Sequence, residues 1–294
     1  MKPIKSLCIL GGDVRQAYLA QALSEEGFQV RVGALDQYVF SDPSIKVGSI
    51  ERAIEKSDCV ILPLPVTMDG ASLNAPMTVK KIDLNRDFME MLEGKYVVGG
   101  QIDKIPHVEK WKGVELEDYY LQEALIVGNA VLTGEAAISI AVRETPYGLL
   151  RSQCLVVGFG RIGKSLSVML KGMGCDVTVS ARKKEDFAWI EALGMRAVHT
   201  DALGEHVNGM DILFNTVPAV VMTENILAQC KSTALLIDLA SKPGGVDYIR
   251  AEEMGIKALG ALNLPGKFSP RSAADLIKVT VMDMIEEVNS FEKE

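Results

Sequence analysis

Residues 154–166, with the sequence CLVVGFGRIGKSL, decide the fold of this chain. The apolar run at their start predicts a buried strand. The turn that follows is G-x-G-x-x-G. Its first glycine makes a tight turn, its second lets backbone N–H groups approach a pyrophosphate, and its third lets helix and strand pack closely. The next helix has its predicted core face at Ile162, Leu166, Leu170 and Met173. The stretch predicts a dinucleotide-binding Rossmann unit, and a Rossmann turn that binds nothing is the alternative.

The end of the next predicted strand bears on which dinucleotide would bind. NAD enzymes carry an acidic residue about twenty positions beyond the first glycine, where it holds the ribose 2′-hydroxyl. This chain has Ser180, Arg182 and Lys183 there. A hydroxyl with a basic cluster suits a 2′-phosphate, so these residues favour NADP over NAD. The alternative is an ordinary solvated charge run that opens the next helix.

Two later strands end in polar turns, within residues 211–218 and 235–245, that would face the nicotinamide half of a cofactor. Either turn alone is an ordinary strand ending. Lys242, Lys267 and Arg271 could bring positive charge near the cleft, although each alone is more often a solvated side chain. The predicted cofactor-binding residues are Gly158, Phe159, Gly160, Arg161, Ile162, Gly163, Ser180, Arg182, Lys183, Thr216, Val217, Pro218 and Asp238.

A sequence repeat divides the chain. Gly11 aligns with Gly158, the apolar run before Gly11 aligns with residues 154–157, and Gly27 aligns with Gly174 at the same offset. The first part of the chain therefore begins with its own strand, turn and helix. We predict an α/β protein with two tandem Rossmann-like domains, each built on a parallel sheet.

The predicted domain boundaries lie at an apolar helix over residues 129–142 and at a late helix signal. Ser269 and Pro270 are typical of a helix N-cap and first turn, and we expect that helix to return to the first domain. The predicted division is a substrate-side or partner-side domain of residues 1–130 plus 268–294 and an NADP-binding domain of residues 131–267.

Composition bears on several classes of function. The 294 residues carry a net charge of −8 and no basic stripe, so nucleic acid is not an expected partner. The five cysteines form no C-x-x-C pair, which favours reduced thiols in the cytoplasm. The three histidines lack the local spacing of a metal site, so no metal is predicted. No stretch approaches the ~20 apolar residues of a membrane span, and no membrane is expected.

The first turn, residues 11–16 with the sequence GGDVRQ, keeps the Rossmann position but loses two of its glycines. Asp13 replaces the second glycine and Gln16 the third. A carboxylate at the point of closest phosphate approach would oppose a dinucleotide, so we predict a substrate-side or interdomain site at Asp13 and Arg15. The alternative is an aspartate that stabilises its helix N-terminus, with Arg15 as a surface partner.

A set of motifs carries a family resemblance: the GGDVRQ turn, the glycine turn, FNTVP at residues 214–218 and LPGK at residues 264–267. With them the chain resembles the family of the dipicolinate synthase A subunit over essentially its whole length. The resemblance implies the last step of dipicolinate synthesis in sporulating bacteria, in which a cyclic dihydro- or hydroxytetrahydro-dicarboxylate becomes pyridine-2,6-dicarboxylate. It also implies a second, flavoprotein-like subunit and the cytoplasm of the mother cell. Whether the chain forms a homo-oligomer stays open.

The reaction implied by the resemblance sets the predicted catalytic residues, Asp13, Arg15 and Gln16. Forming an aromatic ring by loss of a hydride and a proton needs positioning more than a strong base. Arg15 would clamp a substrate carboxylate, which a guanidinium matches in bidentate fashion. Asp13 would accept a proton or orient Arg15. Two other functions stay open: an enzyme like the D-2-hydroxyacid and alanine dehydrogenases, and a non-catalytic NADP-binding partner subunit.

Overall fold

The structure, a computed structural model, describes residues 3–111 and 113–291. These residues divide into two compact units. The described residues up to Gly128 and from Ser269 onward form the first unit, and Asn129–Phe268 form the second.

The first unit is a parallel sheet with helices between its strands. Over the described residues its strand order is β3-β2-β1-β4-β5-β6, which is the Rossmann order with the crevice between β1 and β4. The strands are β1 (Ser6–Leu10), β2 (Gln29–Gly33), β3 (Lys46–Val47), β4 (Cys59–Ile61), β5 (Tyr96–Gly99) and β6 (Glu115–Asp118). The α-helices between them are α1 (Val14–Glu25), α2 (Ile50–Glu55) and α3 (Arg86–Leu92). Short 3-10 turns cover Ile102–Lys104, Val108–Lys110 and Tyr119–Leu121.

The second unit repeats the plan. Its strands are β7 (Gln153–Val157), β8 (Asp176–Ala181), β9 (Arg196–His199), β10 (Ile212–Asn215), β11 (Leu235–Asp238) and β12 (Lys257–Gly260). Their order is β12-β11-β10-β7-β8-β9, with every one of these pairings parallel, so the crevice lies between β7 and β10. The helices are α5 (Arg161–Gly172), α6 (Lys184–Ala192), α7 (Leu203–Val207), α8 (Glu224–Leu227), α9 (Tyr248–Glu253) and α10 (Leu264–Phe268), with a 3-10 turn at Thr200–Ala202. The predicted fold class is confirmed.

The last helix, α11 (Pro270–Phe291), returns to the first unit as predicted. Its residues Ala274, Ile277 and Val281 are buried in the same core as Leu19 of α1 and Ile9 of β1. Burying an aliphatic side chain of this size stabilises a fold by roughly 1.5–3 kcal/mol, so the apolar face of α11 is a substantial part of this core.

The helix after the glycine turn differs from its prediction at one end. Leu166 and Leu170 of α5 are buried and Ile162 packs against the same core. Met173, which we predicted on the core face, lies beyond the last helical residue and is 43% exposed. The reason is that α5 ends at Gly172 and Gly174 turns the chain with a φ of +79°, so the helical spacing no longer applies to Met173.

Helix α4 (Glu123–Glu144) corrects the expectation about apolar stretches, because by length and composition it is apolar enough to cross a membrane. Its contacts are those of a core helix. Leu125 belongs to the core of the first unit, and Ala136, Ala137 and Ala141 belong to the core of the second. The buried positions of the helix are thus used within the protein itself.

Candidate functional site

The glycine turn after β7 has the geometry of a phosphate-binding turn. Gly158 has a φ of +99°, and a Cβ there would lie 2.5 Å from Thr216 Oγ1. A Cβ on Gly163 would collide with the carbonyl oxygen of Gly158. Neither position therefore accepts a larger residue. At Gly160, by contrast, a Cβ would meet nothing within 4 Å, so open space faces the turn where a pyrophosphate would approach.

The N-terminus of α5 is the second half of this site. Gly160 is the N-cap residue and gives the helix no side-chain cap. Arg161 and Ile162 open the helix, whose N-terminal N–H groups and dipole favour an anion. Phe159 is 7% exposed and packs in the core, with Lys164 Nζ 5.3 Å from its ring centroid. Phe159 therefore offers a ligand its backbone and not its ring.

Thr216 and Val217 form the opposite side of the crevice, directly after β10. The N–H and Oγ1 of Thr216 donate to the carbonyl oxygen of Val157 at 3.0 and 2.8 Å. The Val217 N–H donates to Asn215 Oδ1 at 3.2 Å. These bonds fix the β10 turn against the end of β7, beside the glycine turn. Pro218 lies next in the chain and is exposed.

The residues at the end of β8 that we predicted to favour NADP over NAD differ in their exposure. Arg182 and Lys183 are exposed just beyond the strand. Ser180 has no exposed surface, and its Oγ lies 3.3 Å from the Gly158 N–H, which donates to it. The direct cofactor contact predicted for Ser180 is therefore replaced by a supporting contact to the glycine turn. The physical reason is that Ser180 lies inside β8, where its side chain is buried and packs against the glycine turn.

Asp238 ends β11 and connects the end of β10, the loop after β11 and the start of α9. It is 2% exposed. Its Oδ1 accepts from Asn215 Nδ2 at 2.7 Å and from the Ala240 N–H at 3.2 Å. Its Oδ2 accepts from the Gly245 N–H at 2.9 Å and from the Tyr248 hydroxyl at 3.1 Å. Both oxygens of Asp238, which we predicted as a cofactor-binding residue, thus accept hydrogen bonds from within the chain, and Asp238 holds the surrounding segments together.

The sequence did not single out Asn215 or Tyr248, the side-chain partners of Asp238. Burial, followed by the charge of Asp238, raises the pKa of the Tyr248 hydroxyl to about 12. The hydroxyl therefore stays protonated and donates to Asp238 across the physiological range. A polar residue at the end of each of two neighbouring strands was the available signal, since parallel strands bring their carboxyl ends to one edge.

The first unit places Asp13, Arg15 and Gln16 together at the corresponding turn. Arg15 Nε donates to Asp13 Oδ1 at 2.8 Å and Nη2 donates to Asp13 Oδ2 at 2.9 Å. Nη2 also donates to the carbonyl oxygen of Leu64 at 2.8 Å. The side chain of Arg15 is 7% exposed and that of Asp13 is 25% exposed. This is a partly buried bidentate pair, the strong form of the interaction, and Arg15 links the first turn to the loop after β4.

Gln16 is buried under the same turn. It is 2% exposed, and neither of its amide atoms has a hydrogen-bond partner among the described residues. A Cβ on Gly12 would collide with Gln16 Cγ. The side chain thus fills the space beneath the turn, which is lined in addition by Pro63, Leu64 and Ile277.

A loop of the first unit also covers this turn from outside. The Gly12 N–H donates to the carbonyl oxygen of Asn74 at 2.7 Å, and the Asn74 N–H donates to that of Val66 at 2.7 Å. A Cβ on Gly11 would lie 3.0 Å from the Asn74 oxygen. The loop at residues 66–78 is thus folded over the first turn.

Comparisons with known proteins cover both units. The family model for the N-terminal domain of the dipicolinate synthase A subunit matches residues 6–119. The dipicolinate synthase A subunit of Bacillus subtilis (strain 168) is 29% identical in an alignment 293 residues long, and the match covers 97% of each chain. The resemblance to this family is confirmed.

Structural comparison agrees. The crystal structure of the dipicolinate synthase A subunit from Bacillus halodurans has a TM-score of 0.83 at 28% identity, and the match covers 96% of this chain and 97% of that one. An L-alanine dehydrogenase, with a TM-score of 0.64 at 13% identity over 98% of this chain and 90% of that one, shares the fold alone.

The second unit carries the dehydrogenase character of the chain. The model of the D-isomer specific 2-hydroxyacid dehydrogenase NAD binding domain matches residues 139–242. That span contains the glycine turn, the β8 end and the Thr216 turn. The chain is thus of dehydrogenase type, an oxidoreductase with a nicotinamide dinucleotide cofactor, and Gly158–Gly163 fit that cofactor because only Gly160 leaves open space where its phosphates would approach.

One further cavity, of about 440 Å³, opens beside the Asp238 network. It lies at the carboxyl ends of β11 and β12 and is lined by residues that include Asp238, Lys242, Tyr248, Gly260, Leu262 and Lys267. As to metals, no group of three His, Cys, Asp or Glu side chains within residues 3–111 and 113–291 is arranged to hold an ion.

Proposed function

We propose that the chain is the NADP-dependent oxidoreductase subunit that forms dipicolinate from a cyclic dihydro- or hydroxytetrahydro-dicarboxylate. The observation that carries the proposal is the open glycine turn of a dehydrogenase-type unit in a chain related over its whole length to the dipicolinate synthase A subunit. The name of that relative places it in dipicolinate synthesis, which we extend to this chain and to the cytoplasm of a sporulating cell.

The proposed reaction does not require a strong catalytic acid or base. A dihydropyridine dicarboxylate that loses a hydride and a proton becomes an aromatic ring, and the hydroxytetrahydro form must also lose water. The nicotinamide cofactor, when bound, supplies the acceptor for the hydride. The N–H groups of the glycine turn would hold the pyrophosphate, and the Thr216 and Val217 turn would border the nicotinamide half. Most of the acceleration then comes from orientation.

Preference for NADP is supported by the β8 end. Arg182 and Lys183 are exposed beyond the strand, where NAD enzymes carry an acid. Two cations at this place attract a 2′-phosphate, and a guanidinium binds it in bidentate fashion. We assign Arg182 the main contact, because it directly follows the strand end. Ser180 supports the turn from within.

The roles proposed for Asp13, Arg15 and Gln16 belong to the first unit. Arg15 commits Nε and Nη2 to Asp13 and Leu64, so a bidentate grip on a substrate carboxylate would require that pair to rearrange. Asp13 orients Arg15 in this arrangement. A second subunit, as the name of the relative indicates, would complete the enzyme, and the first unit is the proposed partner side.

The experiment that tests the function combines the chain, with and without the second synthase subunit, with freshly made product of dihydrodipicolinate synthase. Dipicolinate absorbance and NADPH are followed together. We expect dipicolinate and NADPH to appear in equal amounts with NADP and more slowly with NAD. Arg182→Ala should weaken NADP(H) binding about tenfold or more while NAD(H) binding changes little. Lys171→Ala, which removes an exposed lysine on α5, is the matched control.

Three results separate the alternatives. Activity of the chain alone on a small oxo acid would favour an enzyme like the alanine or hydroxyacid dehydrogenases. NADP(H) binding without turnover in any mixture would favour a non-catalytic partner subunit. Equal loss of NADP(H) and NAD(H) binding in Arg182→Ala, or a wild-type preference for NAD(H), would overturn the NADP assignment.

A further inference from the structure

The cavity beside Asp238 is distinct from the place where a pyrophosphate would bind. Its walls come from the ends of β11 and β12, which stand two and three strands away from β7 in the sheet. Neighbouring strands lie about 4.8 Å apart, so these ends are roughly 10 and 14 Å from the strand that precedes the glycine turn. The cavity therefore offers room for a separate small molecule on the nicotinamide side of the unit.

The charged side chains that line this cavity differ in whether they already have hydrogen-bond partners within the chain. The two carboxylate oxygens of Asp238 accept hydrogen bonds from four donors of the chain. Lys242 and Lys267 are exposed at the rim, and no hydrogen bond or ion pair joins the ammonium group of either to another residue in the described part of the chain. The two lysines outnumber the single carboxylate, whose oxygens already accept hydrogen bonds, so the charged groups of the cavity sum to a positive charge and favour an anion.

The remaining walls suit a ring. Tyr248 forms one wall and Leu262, an apolar side chain that is 40% exposed, forms another. A Cβ on Gly260 would lie 3.0 Å from the Tyr248 hydroxyl. The absence of a side chain at Gly260 therefore lets the Tyr248 ring pack against the end of β12. Small-molecule sites combine apolar walls with a few polar groups that fix orientation. About 440 Å³ is ample for a single six-membered ring with two substituents.

We propose that this cavity is the substrate site of the second unit, which binds a small cyclic dicarboxylate with Lys242 and Lys267 on its carboxylates. The proposal rests on the proposed function for the reaction, but its binding test does not. Arg15 of the first unit is committed to Asp13 and Leu64, whereas these two lysines are available. Lys242 and Lys267 therefore take over the recognition of carboxylates that we had first predicted for Arg15.

The nicotinamide ring is the other molecule that could reach this edge. An oxidised nicotinamide is a cation, and two lysines would repel it, so the charge of the cavity separates the two occupants. A dinucleotide that filled the cavity would also make its own affinity depend on Lys242 and Lys267. Cofactor titration of the same variants therefore distinguishes a substrate site from an extension of the cofactor site.

The test uses the full chain, titrated by calorimetry with pyridine-2,6-dicarboxylate at low ionic strength, with and without saturating NADPH. Pyridine-2-carboxylate probes one carboxylate, and benzene-1,3-dicarboxylate probes two without the metal-chelating nitrogen. We expect both dicarboxylates to bind at least about tenfold more tightly than the monocarboxylate. Lys242→Ala and Lys267→Ala should each weaken dicarboxylate binding about tenfold and leave NADPH binding unchanged. Lys171→Ala should behave as wild type.

The outcomes decide between the proposals. No dicarboxylate binding with or without NADPH, equal binding of mono- and dicarboxylates, or lysine variants that bind like wild type would overturn the site. Loss of NADPH binding in the lysine variants would assign the cavity to the dinucleotide and also overturn it. Lysine-dependent dicarboxylate binding in a protein that does not bind NADP(H) would support the site while the proposed function fails.

Discussion

The turns after β1 and β7 occupy the same place in two sheets of the same strand order, yet they leave different surfaces. At the second-glycine position, Gly160 faces open space and caps its helix with no side chain. Its counterpart Asp13 accepts from the Arg15 N–H at the N-terminus of α1 and pairs with the Arg15 guanidinium. Asn74 accepts from the first turn in addition. The N-terminus of α5 in the second unit is thus left open to a ligand, whereas the N-terminus of α1 in the first unit is capped by a side chain of the chain itself.

The difference shows how little of the sheet needs to change for a crevice to lose its ligand. The strand order creates a crevice in both units, and in the first unit Asp13 stands at the position of closest phosphate approach. Gln16, in place of the third glycine, then fills the space under the turn. We infer that the first unit has exchanged dinucleotide binding for a rigid turn tied to the loop after β4.

The largest expected effect is on the pair that closes the first turn. Asp13→Ala leaves a buried guanidinium whose one remaining partner among the described residues is the Leu64 carbonyl. Removing one member of a buried pair costs about 3–5 kcal/mol of the free energy of unfolding. Urea denaturation at pH 7 measures the loss. Asp13→Ala combined with Arg15→Ala should cost less than the two single changes together, with a coupling of about 1–3 kcal/mol.

If the losses from the two single changes simply add and each is under about 1 kcal/mol, the Asp13–Arg15 pair behaves as a surface contact. The first turn would then not be held closed by this pair. Arg15→Lys then sharpens the role of the guanidinium. A lysine cannot make the bidentate contact. If Arg15 acts only on the turn, kcat/KM measured on the folded fraction should stay near wild type. If it also clamps a substrate carboxylate, kcat/KM should fall more than about tenfold with NADP(H) binding unchanged.

The second prediction concerns Gly160, at the open face of the turn after β7. Gly160→Ala adds a methyl group that meets nothing within 4 Å, at an ordinary φ of −77°. The fold should tolerate it, with a loss of a few tenths to about 1 kcal/mol because alanine is a poor N-cap. The methyl group would stand where the pyrophosphate approaches, so NADP(H) affinity should fall about tenfold to a hundredfold. Fluorescence titration measures the affinity, and a thermal melt measures the stability.

Gly172→Ala is the matched control, because it lies on the same helix with nothing within 4 Å of its Cβ. It should leave cofactor affinity unchanged and slightly raise stability, since alanine favours a helix over glycine. Unchanged NADP(H) affinity in Gly160→Ala would mean that the open face of the turn is not the phosphate site.

The sequence predicted the elements that depend on local pattern. Residues 154–166 predicted the strand, turn and helix of the second unit, and the repeat of Gly11 on Gly158 extended the plan to the first. The return of α11 followed from its apolar spacing. These succeed because hydrophobic periodicity and turn glycines act over a few residues.

What the sequence could not predict depends on partners distant in the chain. Arg15 is held by Leu64, and Gly12 is covered by Asn74, so neither contact is visible in the turn itself. Ser180 is buried within β8, and its hydroxyl accepts from the N–H of Gly158 instead of facing a ligand. What this hydroxyl contacts depends on a turn that lies 22 residues earlier in the chain, so no local signal marked it.

The two units also share a small device at the opposite, amino-terminal edge of the sheet. In the first unit, Asp58 Oδ2 accepts from the Ser6 N–H at 2.9 Å and from the Ser6 hydroxyl at 2.7 Å. In the second, Asp211 Oδ2 accepts from the Gln153 N–H at 2.8 Å, and Oδ1 accepts from Lys231 Nζ at 2.8 Å. Each aspartate precedes the fourth strand of its unit and fixes the start of the first. Burial acts to raise the pKa of both carboxyls, but these hydrogen bonds outweigh it and hold each pKa below its usual value.

The smallest predicted effect compares these two aspartates. Because the pKa of each is lowered on folding, each adds stability above the unfolded pKa, near 4, and that contribution is lost as pH falls through the folded pKa. Asp58→Asn and Asp211→Asn should therefore each lower the free energy of unfolding by about 1 kcal/mol at pH 7, and the gap to wild type should close in acid. The partners differ: Asp58 is held by serine and backbone donors, and Asp211 by a lysine. At about 1 M salt, where a charge is screened beyond roughly 3 Å, the cost of Asp211→Asn should shrink and that of Asp58→Asn should stay. Urea denaturation of both variants across pH and salt decides, and a gap that widens in acid would contradict the assigned sign.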